Sequence, residues 1–484
     1  MSPILRSLLL VVSLWLIAGC AGLGASNNPP PTVSPTPTPA PAATLQTSVN
    51  HIIIMAQENR SFDHYFGHLP QYWQANGFPQ ATNGTTLDGE PANASNAGFS
   101  STGPGAPITA FHLITQCVEN LSPSWNESHV DYNLNSPTST TYLGDGYAFS
   151  AGKESSTMFD TTGKRAMGFY TGDDLNYYYF MASSFATSDR FFSPEMSRTQ
   201  PNRMYMLGAT SQGHVYPLGP TTGGQLTSKP IVQVLDEHGI TWKDYVHPSS
   251  TTNCATPTCL MAQSYLHQFT YAQTIMSKEP QNLQTTDQFM TDAKNGTLPQ
   301  VAFIDPASES GLDEHPTEGT GGVDVQAGAQ FVASLVNTLM GSQSWKDSIF
   351  ILTWDEAGGF FDHVSPQPAV NPDGISPSDL QPTDVCQTGN TGNPDCHFQT
   401  TGFRLPLIVI SPFTKKNFVS HTVMDTTATL KLIETRFGLP NLTARDAAQP
   451  DMTEFFDFPN APWLTPPAPP AQNIGAPCYL DHLP

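Results

Sequence analysis

The sequence predicts an α/β protein built on a large, mostly parallel β-sheet with helices on both faces. Short apolar runs rich in β-branched residues recur along the chain, which is typical of strands buried on both faces. Polar and acidic residues follow these runs directly. Helical patterns separate the runs, at 324–340, ended near Gly341, and at 425–437, ended by Gly438 and Pro440. Alternating strands and helices favour a layered sheet whose strand carboxyl ends form the ligand crevice.

The first 19 residues are predicted to be a signal peptide. Arg6 precedes an apolar run that is too short for a comfortable membrane span, and the segment ends at Cys20. This pattern resembles a bacterial lipoprotein signal, which implies cleavage before Cys20 and acylation of its thiol; a plain secretory signal is the alternative. Residues 20–48, rich in Pro and Thr, predict a lipidated cysteine on an extended stalk. Residues 49–484 are then the folded domain.

The charge balance argues against nucleic acid as a partner. Without residues 1–19 the chain carries 18 Lys and Arg against 41 Asp and Glu, a net charge of −23. Such a surface repels a polyanion. The hydrophobic fraction of 38% excludes disorder of the whole chain.

The cysteine pattern predicts three disulfides. Six cysteines follow Cys20, namely Cys117, Cys254, Cys259, Cys386, Cys396 and Cys478. An even number in an exported chain favours disulfide bonds. Cys254 with Cys259 and Cys386 with Cys396 are close pairs in loops, which leaves Cys117 for Cys478. A zinc site is the alternative, but the Cys254–Cys259 spacing has no second matching pair.

Four predicted strands end on polar side chains, at 52–55, 301–304, 348–354 and 405–410. The first is followed by Glu58 and Asn59, and the third by Asp355 and Glu356. These side chains offer hard oxygen ligands from two strand ends, the usual way to hold a divalent cation. A solvated turn is the alternative for either pair.

The predicted nucleophile is a hydroxyl at the start of a helix. Thr199 lies two residues before Pro201 and fits the N-cap position, with the proline in the first turn. A helix N-terminus also attracts phosphate through its free N–H groups and its dipole. A hydroxyl bound there to a cation that lowers its pKa can attack phosphorus. A purely capping role is the alternative.

Several motifs resemble one known family. They are ENRSFDHYFG at 58–67, SDRFF at 188–192, TQPNR at 199–203, DEHP at 313–316, TWDEAGGFFDHV at 353–364 and RLPLIVISPF at 404–413. In this order they resemble the bacterial phosphoesterase family of phospholipases C and certain acid phosphatases, within the alkaline-phosphatase-like superfamily. The likeness runs from about residue 50 to about residue 460. It implies an alkaline-phosphatase-like fold for a phosphoesterase domain at 49–484.

The resemblance also implies site roles. One divalent metal ion, of unspecified identity, is expected beside a covalent phosphoryl intermediate on Thr199. Its expected ligands are Glu58, Asn59, Asp355 and Glu356. His315 resembles the family histidine that contacts the phosphoryl oxygens or protonates the leaving group, and His129 and His247 are further catalytic candidates.

The expected function is therefore that of an extracytoplasmic, metal-dependent phosphoesterase of the phospholipase C or acid phosphatase type. A phospholipid or small phosphate ester is the expected substrate, and the lipid anchor is the expected link to the bacterial envelope. Preference for a monoester or a diester stays open. The alternative function is a non-catalytic surface lipoprotein that binds phosphorylated ligands.

Overall fold

A computed structural model describes residues 42–78, 86–154, 159–218, 224–248, 254–306, 311–317, 324–387 and 393–483. Within them, one large sheet contains eight strands. These are β1 (His51–Gln57), β2 (Ala186–Ser188), β3 (Trp242–Val246), β4 (Leu283–Thr285), β5 (Val301–Asp305), β6 (Ser348–Trp354), β7 (Leu407–Ile410) and β8 (Phe418–Ser420).

The sheet order across space is β8-β2-β7-β6-β1-β5-β3-β4. β1 lies in the middle and pairs in parallel with β5 and β6. The pairs β5–β3, β3–β4 and β8–β2 are also parallel, whereas β7 runs antiparallel to both of its neighbours. The prediction of a mostly parallel α/β sheet is confirmed.

The α-helices are Leu45–Ser48, Phe62–Phe66, Leu69–Asn76, Trp125–Tyr132, Tyr147–Lys153, Asn176–Ser184, Thr199–Gly208, Ile231–Glu237, Pro257–Gln263, Ala272–Lys278, Thr286–Asn295, Val325–Met340, Ala428–Phe437 and Ala444–Ala447. The helix predicted at 324–340 is confirmed almost to the residue. The one predicted at 425–437 begins at Ala428, because Met424–Asp425 instead forms a short parallel ladder with Phe191–Phe192. Two further ladders join Ser95–Ser100 to Gly103–Thr109 and Phe111–His112 to Gly168–Phe169.

Both faces of the sheet are covered by helices. Ile52 and Ile54 of β1 lie in one apolar cluster, which includes residues of the helix Ile231–Glu237. Ile53 and Met55 lie in a second cluster, with the apolar side of the helix Val325–Met340. Alternate side chains of a strand point to opposite faces, so β1 is buried on both.

Three disulfides join the cysteines in the predicted pairs, Cys117–Cys478, Cys254–Cys259 and Cys386–Cys396. The first closes 361 residues of chain and fastens the C-terminal segment beside residue 116. Cys20 and the predicted signal peptide lie outside the described residues. Among the helices that are described, none combines the length and the apolar character needed to cross a bilayer.

Candidate active site

The predicted oxygen ligands meet at one edge of the sheet. Gln57 pairs with Trp354 at the ends of β1 and β6, so the residues that follow the two strands leave the sheet side by side. The Asn59 backbone N–H donates to Asp355 Oδ1 over 3.1 Å, and Asn59 has a φ of 62°. This left-handed conformation is uncommon for a residue with a side chain and is typical of functional sites.

Thr199 faces this edge from the helix Thr199–Gly208. Its Oγ1 lies 3.2 Å from Glu58 Oε2 and 3.2 Å from Asn59 Oδ1. The prediction that Thr199 is the N-cap is wrong, because the extended residue before the helix is Arg198 and Thr199 is the first helical residue. Its hydroxyl makes no capping bond and points instead towards the oxygens of Glu58 and Asn59.

Arg203 organises the carboxylates and was not singled out from the sequence. Its side chain is only 4% exposed and donates from Nε to Asp355 Oδ2 over 3.2 Å and from Nη2 to Glu58 Oε1 over 3.0 Å. Tyr265 donates to the same Glu58 oxygen over 2.7 Å. Arg203 follows Thr199 by four residues, a spacing that places two side chains on the same side of a helix. That spacing is the sequence feature that points to it.

A further buried carboxylate, Asp313, joins the site. The Glu58 backbone N–H donates to the Asp313 carbonyl over 2.8 Å, and the Asp313 side chain is fully buried. Two buried carboxylate oxygens, Glu356 Oε1 and Asp313 Oδ2, have no hydrogen-bond partner among the described residues. Buried polar atoms are nearly always paired in proteins, so these two oxygens indicate a group that the protein chain does not supply.

The electrostatics of the site indicate a shortage of positive charge. Burial, and then the nearby Glu58 charge, raise the pKa of Asp355 to about 7. Burial, and then Asp355, raise the pKa of Glu356 well above its ordinary value. Burial, and then the Glu58 charge, also raise the pKa of Asp313 well above its ordinary value. Each carboxylate is costly to keep charged without a further cation.

Gly358 lets the chain turn tightly behind the acids. Its φ is +71°, and a Cβ at this position would lie 2.3 Å from the Asn59 carbonyl oxygen. Its N–H also donates to Glu356 Oε2 over 2.5 Å. A larger residue would therefore push the strand end that carries Asn59 away from Glu356.

Of the three candidate histidines, His315 is linked to the site. Its backbone N–H donates to Asp313 Oδ1 over 3.2 Å, and its Nδ1–H donates to the Pro316 carbonyl over 2.7 Å. This second bond leaves Nε2 available on a half-buried ring.

His129 and His247 make other contacts. His129 Nε2 lies 2.5 Å from Asp395 Oδ2, and its Nδ1–H donates to the Trp125 carbonyl over 2.5 Å. His247 Nδ1 lies 2.9 Å from Thr286 Oγ1. None of these contacts within the described chain joins either ring to Thr199, and their catalytic assignment stays a prediction.

A second cluster of side chains that could hold a metal ion consists of Asp63, Asp362 and His363. These three side chains belong to an ion-pair network. Arg404 lies fully buried among them, with Nη2 2.8 Å from Asp63 Oδ1 and Nε 2.8 Å from Asp362 Oδ1. His363 Nδ1 lies 2.6 Å from the other Asp63 oxygen. The guanidinium already supplies the counter-charge, so this network braces the loop after β6 and does not resemble the cation-poor site around Glu356.

Comparison with known proteins decides the family. A model of the phosphoesterase family matches residues 49–440 of the chain, a range that contains Glu58, Thr199, His315 and Glu356. The chain belongs to the phosphoesterase family. This phosphoesterase is 30% identical over 465 residues to phospholipase C B of Mycobacterium tuberculosis, covering 90% of this chain and 82% of that one. It is 28% identical over 461 residues to phospholipase C A of the same organism, covering 87% of this chain and 79% of the relative.

Among solved structures, this phosphoesterase is similar to a protein in the alkaline phosphatase superfamily from Vibrio parahaemolyticus. That likeness has a TM-score of 0.33 and 12% identity, and it covers 79% of this chain and 78% of the other. The family assignment rests on the sequence matches. It makes the protein a hydrolase of phosphoric esters, as the motifs predicted.

Proposed function

We propose that this protein is a metal-dependent phosphoesterase that works outside the cytoplasm through a covalent phosphothreonine at Thr199. The observation that supports it is the position of the Thr199 hydroxyl, 3.2 Å from both Glu58 Oε2 and Asn59 Oδ1. A hydroxyl that only capped a helix would bond to backbone N–H groups of its own first turn. A non-catalytic binding protein would not need a nucleophile at this point, and every expected position is filled.

The residues present fit a divalent cation. The donors are all carboxylate or amide oxygens, which suit hard cations such as calcium, magnesium or manganese. Glu58, Asn59, Asp355 and Glu356 would hold the ion, and the unpartnered Glu356 Oε1 is the oxygen that most needs it. When bound, the cation would acidify the Thr199 hydroxyl and neutralise charge on the phosphoryl oxygens.

The protein groups then have distinct tasks in the proposed reaction. Thr199 Oγ1 forms a bond to phosphorus as the ester bond to the leaving alcohol breaks, and the hydroxyl loses its proton. The Nδ1–H of His315 donates to the Pro316 carbonyl, so Nε2 is the ring nitrogen that would take up the proton lost by Thr199 and pass it to the leaving oxygen. Water then forms a bond to phosphorus, the Oγ1–phosphorus bond breaks, and Thr199 regains a proton.

The proposed substrates are phosphodiesters of the phospholipid type. The proposal follows the names of the curated relatives, which are phospholipases C. A phosphomonoester, as cleaved by acid phosphatases, is the second candidate. Both classes place the same phosphoryl group against Thr199, and they differ in what is attached to it.

We also propose that residues 1–19 are a signal peptide, that Cys20 carries lipid, and that the Pro- and Thr-rich residues after it form a stalk for the domain. The domain begins before the expected residue 49, because the helix Leu45–Ser48 packs Leu45 into the core. Three disulfides support folding in an oxidising compartment. Intact-mass analysis of the mature N-terminus tests the anchor. A first residue other than an acylated Cys20, or no attached lipid, would contradict it.

The function is tested with Thr199→Ala, which removes only the hydroxyl, and Thr199→Ser, which keeps it. Both variants and the wild type are assayed with each divalent ion on nitrophenyl phosphate and on nitrophenyl phosphorylcholine. Loss of a covalent nucleophile is expected to lower turnover by several powers of ten, on the order of what triad nucleophiles lose. Thr199→Ser should keep measurable turnover, and Thr199→Ala should keep wild-type metal content.

Two outcomes would contradict the proposal. One is a Thr199→Ala protein that retains about a tenth or more of wild-type turnover, which excludes Thr199 as the nucleophile. The other is a wild-type protein that hydrolyses neither ester with any divalent ion supplied, which favours a non-catalytic binding protein.

A further inference from the structure

A cleft lies beside the helix Trp125–Tyr132. Its cavity volume is about 330 Å³, which is enough for a small ligand. The walls come from that helix, from residues 139–140, from Met196, from residues 365–368 and from the segment 393–400. His129 and Asp395 lie in its lining, and both are buried.

Asp395 is the unusual group in this cleft. It is 1% exposed, and its Oδ2 lies 2.5 Å from His129 Nε2. Neither of its carboxylate oxygens makes a hydrogen bond among the described residues. His129 is itself held by the Trp125 carbonyl, which accepts its Nδ1–H, and the ring lies beside the carboxylate without a hydrogen bond to it. A buried, unpaired oxygen at the lining of a cavity indicates a site for a donor that comes from outside the chain.

The lining restricts what that ligand can be. No lysine or arginine lines the described part of the cleft, which argues against a phosphate or another anion. Tyr132 is the aromatic ring in the lining, whereas recognition of a quaternary ammonium group uses cages of several rings. An acyl chain would leave the many hydroxyl and amide groups of the walls unpaired.

The remaining lining chemistry suits a neutral molecule with many hydroxyl groups. Ser139, Thr140, Gln367, Gln399 and other polar residues offer both donors and acceptors around the cleft. The carboxylate of Asp395 accepts from a ligand hydroxyl, while Met196 and the prolines offer apolar surface to the C–H faces of a ring.

We propose that this cleft binds a neutral polyhydroxyl group, of the size of an inositol or a hexose. One lining residue of the cleft, Met196, is close in sequence to Thr199. Met196 lies three residues before Thr199, so their Cα atoms are within about 11 Å. Met196 also packs in the same apolar cluster as Ala357, the residue after Glu356. The group is either the head group of the substrate, which rests on the proposed function, or a free polyol.

The binding test uses the metal-free wild-type protein, so it does not depend on turnover. Saturation-transfer NMR is recorded with myo-inositol, glucose and choline as separate probes. Transfer to the two polyols and none to choline is expected. Thr140→Trp, at an exposed wall position, should block the cleft and remove the transfer. Thr141→Trp is the matched control, because this neighbouring threonine is also exposed and does not line the cleft.

The kinetic test identifies the source of the polyol. Nitrophenyl esters of inositol phosphate and of phosphorylcholine are compared, with nitrophenyl phosphate as the measure of basal activity. If the group is a substrate head group, Thr140→Trp and Gln399→Ala raise KM for the inositol ester by about tenfold, the equivalent of one lost hydrogen bond. Both variants should leave basal activity within about twofold.

The outcomes separate this inference from the proposed function. Polyol binding that Thr140→Trp abolishes supports the site, even if no ester is hydrolysed. An unchanged inositol KM together with such binding assigns the site to a free polyol. No transfer to either polyol, equal transfer to choline, or transfer that Thr140→Trp and Thr141→Trp affect equally would overturn the inference.

Discussion

Arg203→Met is expected to destabilise the metal-free protein by about 3–5 kcal/mol, the usual cost of removing one partner of a buried ion pair. The guanidinium donates to Asp355 over 3.2 Å and to Glu58 over 3.0 Å, and Nη2 also bonds the carbonyls of Ala56 and Gln57 over 3.0 and 3.2 Å. Methionine has a similar length and leaves two buried carboxylates with no counter-charge.

A bound cation is expected to reduce this loss, because it supplies part of the positive charge that Arg203 provided. Urea unfolding, followed by tryptophan fluorescence with chelator and with added divalent ion, measures both values. The same samples are analysed for metal content. Retained metal with a smaller loss of stability would show that the cation and Arg203 act on the same carboxylates.

The control is Lys229→Met. Lys229 pairs with Glu237 over 2.7 Å, but the two side chains are 53% and 40% exposed. A surface pair of this kind contributes about 0–1 kcal/mol. The reasoning is refuted if Arg203→Met costs no more than Lys229→Met in the presence of chelator.

Two further predictions concern a glycine and a buried acid. Gly358→Ala places a Cβ 2.3 Å from the Asn59 carbonyl oxygen, so metal content and turnover should both fall. The control is Gly374→Ala, at a φ of +81° with open space around it. This change should lower the free energy of unfolding by only about 1 kcal/mol and leave metal content and turnover unchanged. Wild-type metal content in Gly358→Ala would contradict this. Burial, and then the neighbouring Asp446 carboxylate, raise the pKa of Glu434 to about 9. Between pH 5 and pH 8 the folded protein therefore holds a proton that the unfolded chain has released, and the free energy of unfolding falls as pH rises. Urea unfolding at pH 5 and at pH 8 measures this difference in the free energy of unfolding. Glu434→Gln should make the difference smaller by about 2–4 kcal/mol. A variant with the same pH dependence as the wild type would contradict the prediction.

Half of the large sheet could be predicted from the sequence. β1, β5, β6 and β7 are apolar runs whose pattern is visible within a few residues. β3 reads Trp-Lys-Asp-Tyr-Val, and its charged residues interrupt the apolar pattern. β2, β4 and β8 have three residues each, too few for periodicity to identify a strand. These strands form because neighbouring strands supply their hydrogen-bond partners.

The candidate site was predictable where its residues end a strand or begin a helix. Glu58, Asn59, Asp355 and Glu356 follow buried strands, and Thr199 lies at a recognisable helix start. The position of Thr199 at the first helical residue, one place after the N-cap, was not predictable. It depends on the extended backbone of Arg198, and thus on how the preceding loop packs.

The sequence by itself determined which residues end the strands, which cysteines pair and which family the chain belongs to, because this information lies in short segments and their order. Only the tertiary structure decided that Arg203 holds Asp355, that Asp313 joins the acids, and that the Asp395 carboxylate has no described hydrogen-bond partner beside a cleft. Arg203 and Asp355 are separated by 152 residues, so no local pattern links them. Such contacts exist only once the strands are placed side by side in the sheet, and that placement follows from the packing of the whole core.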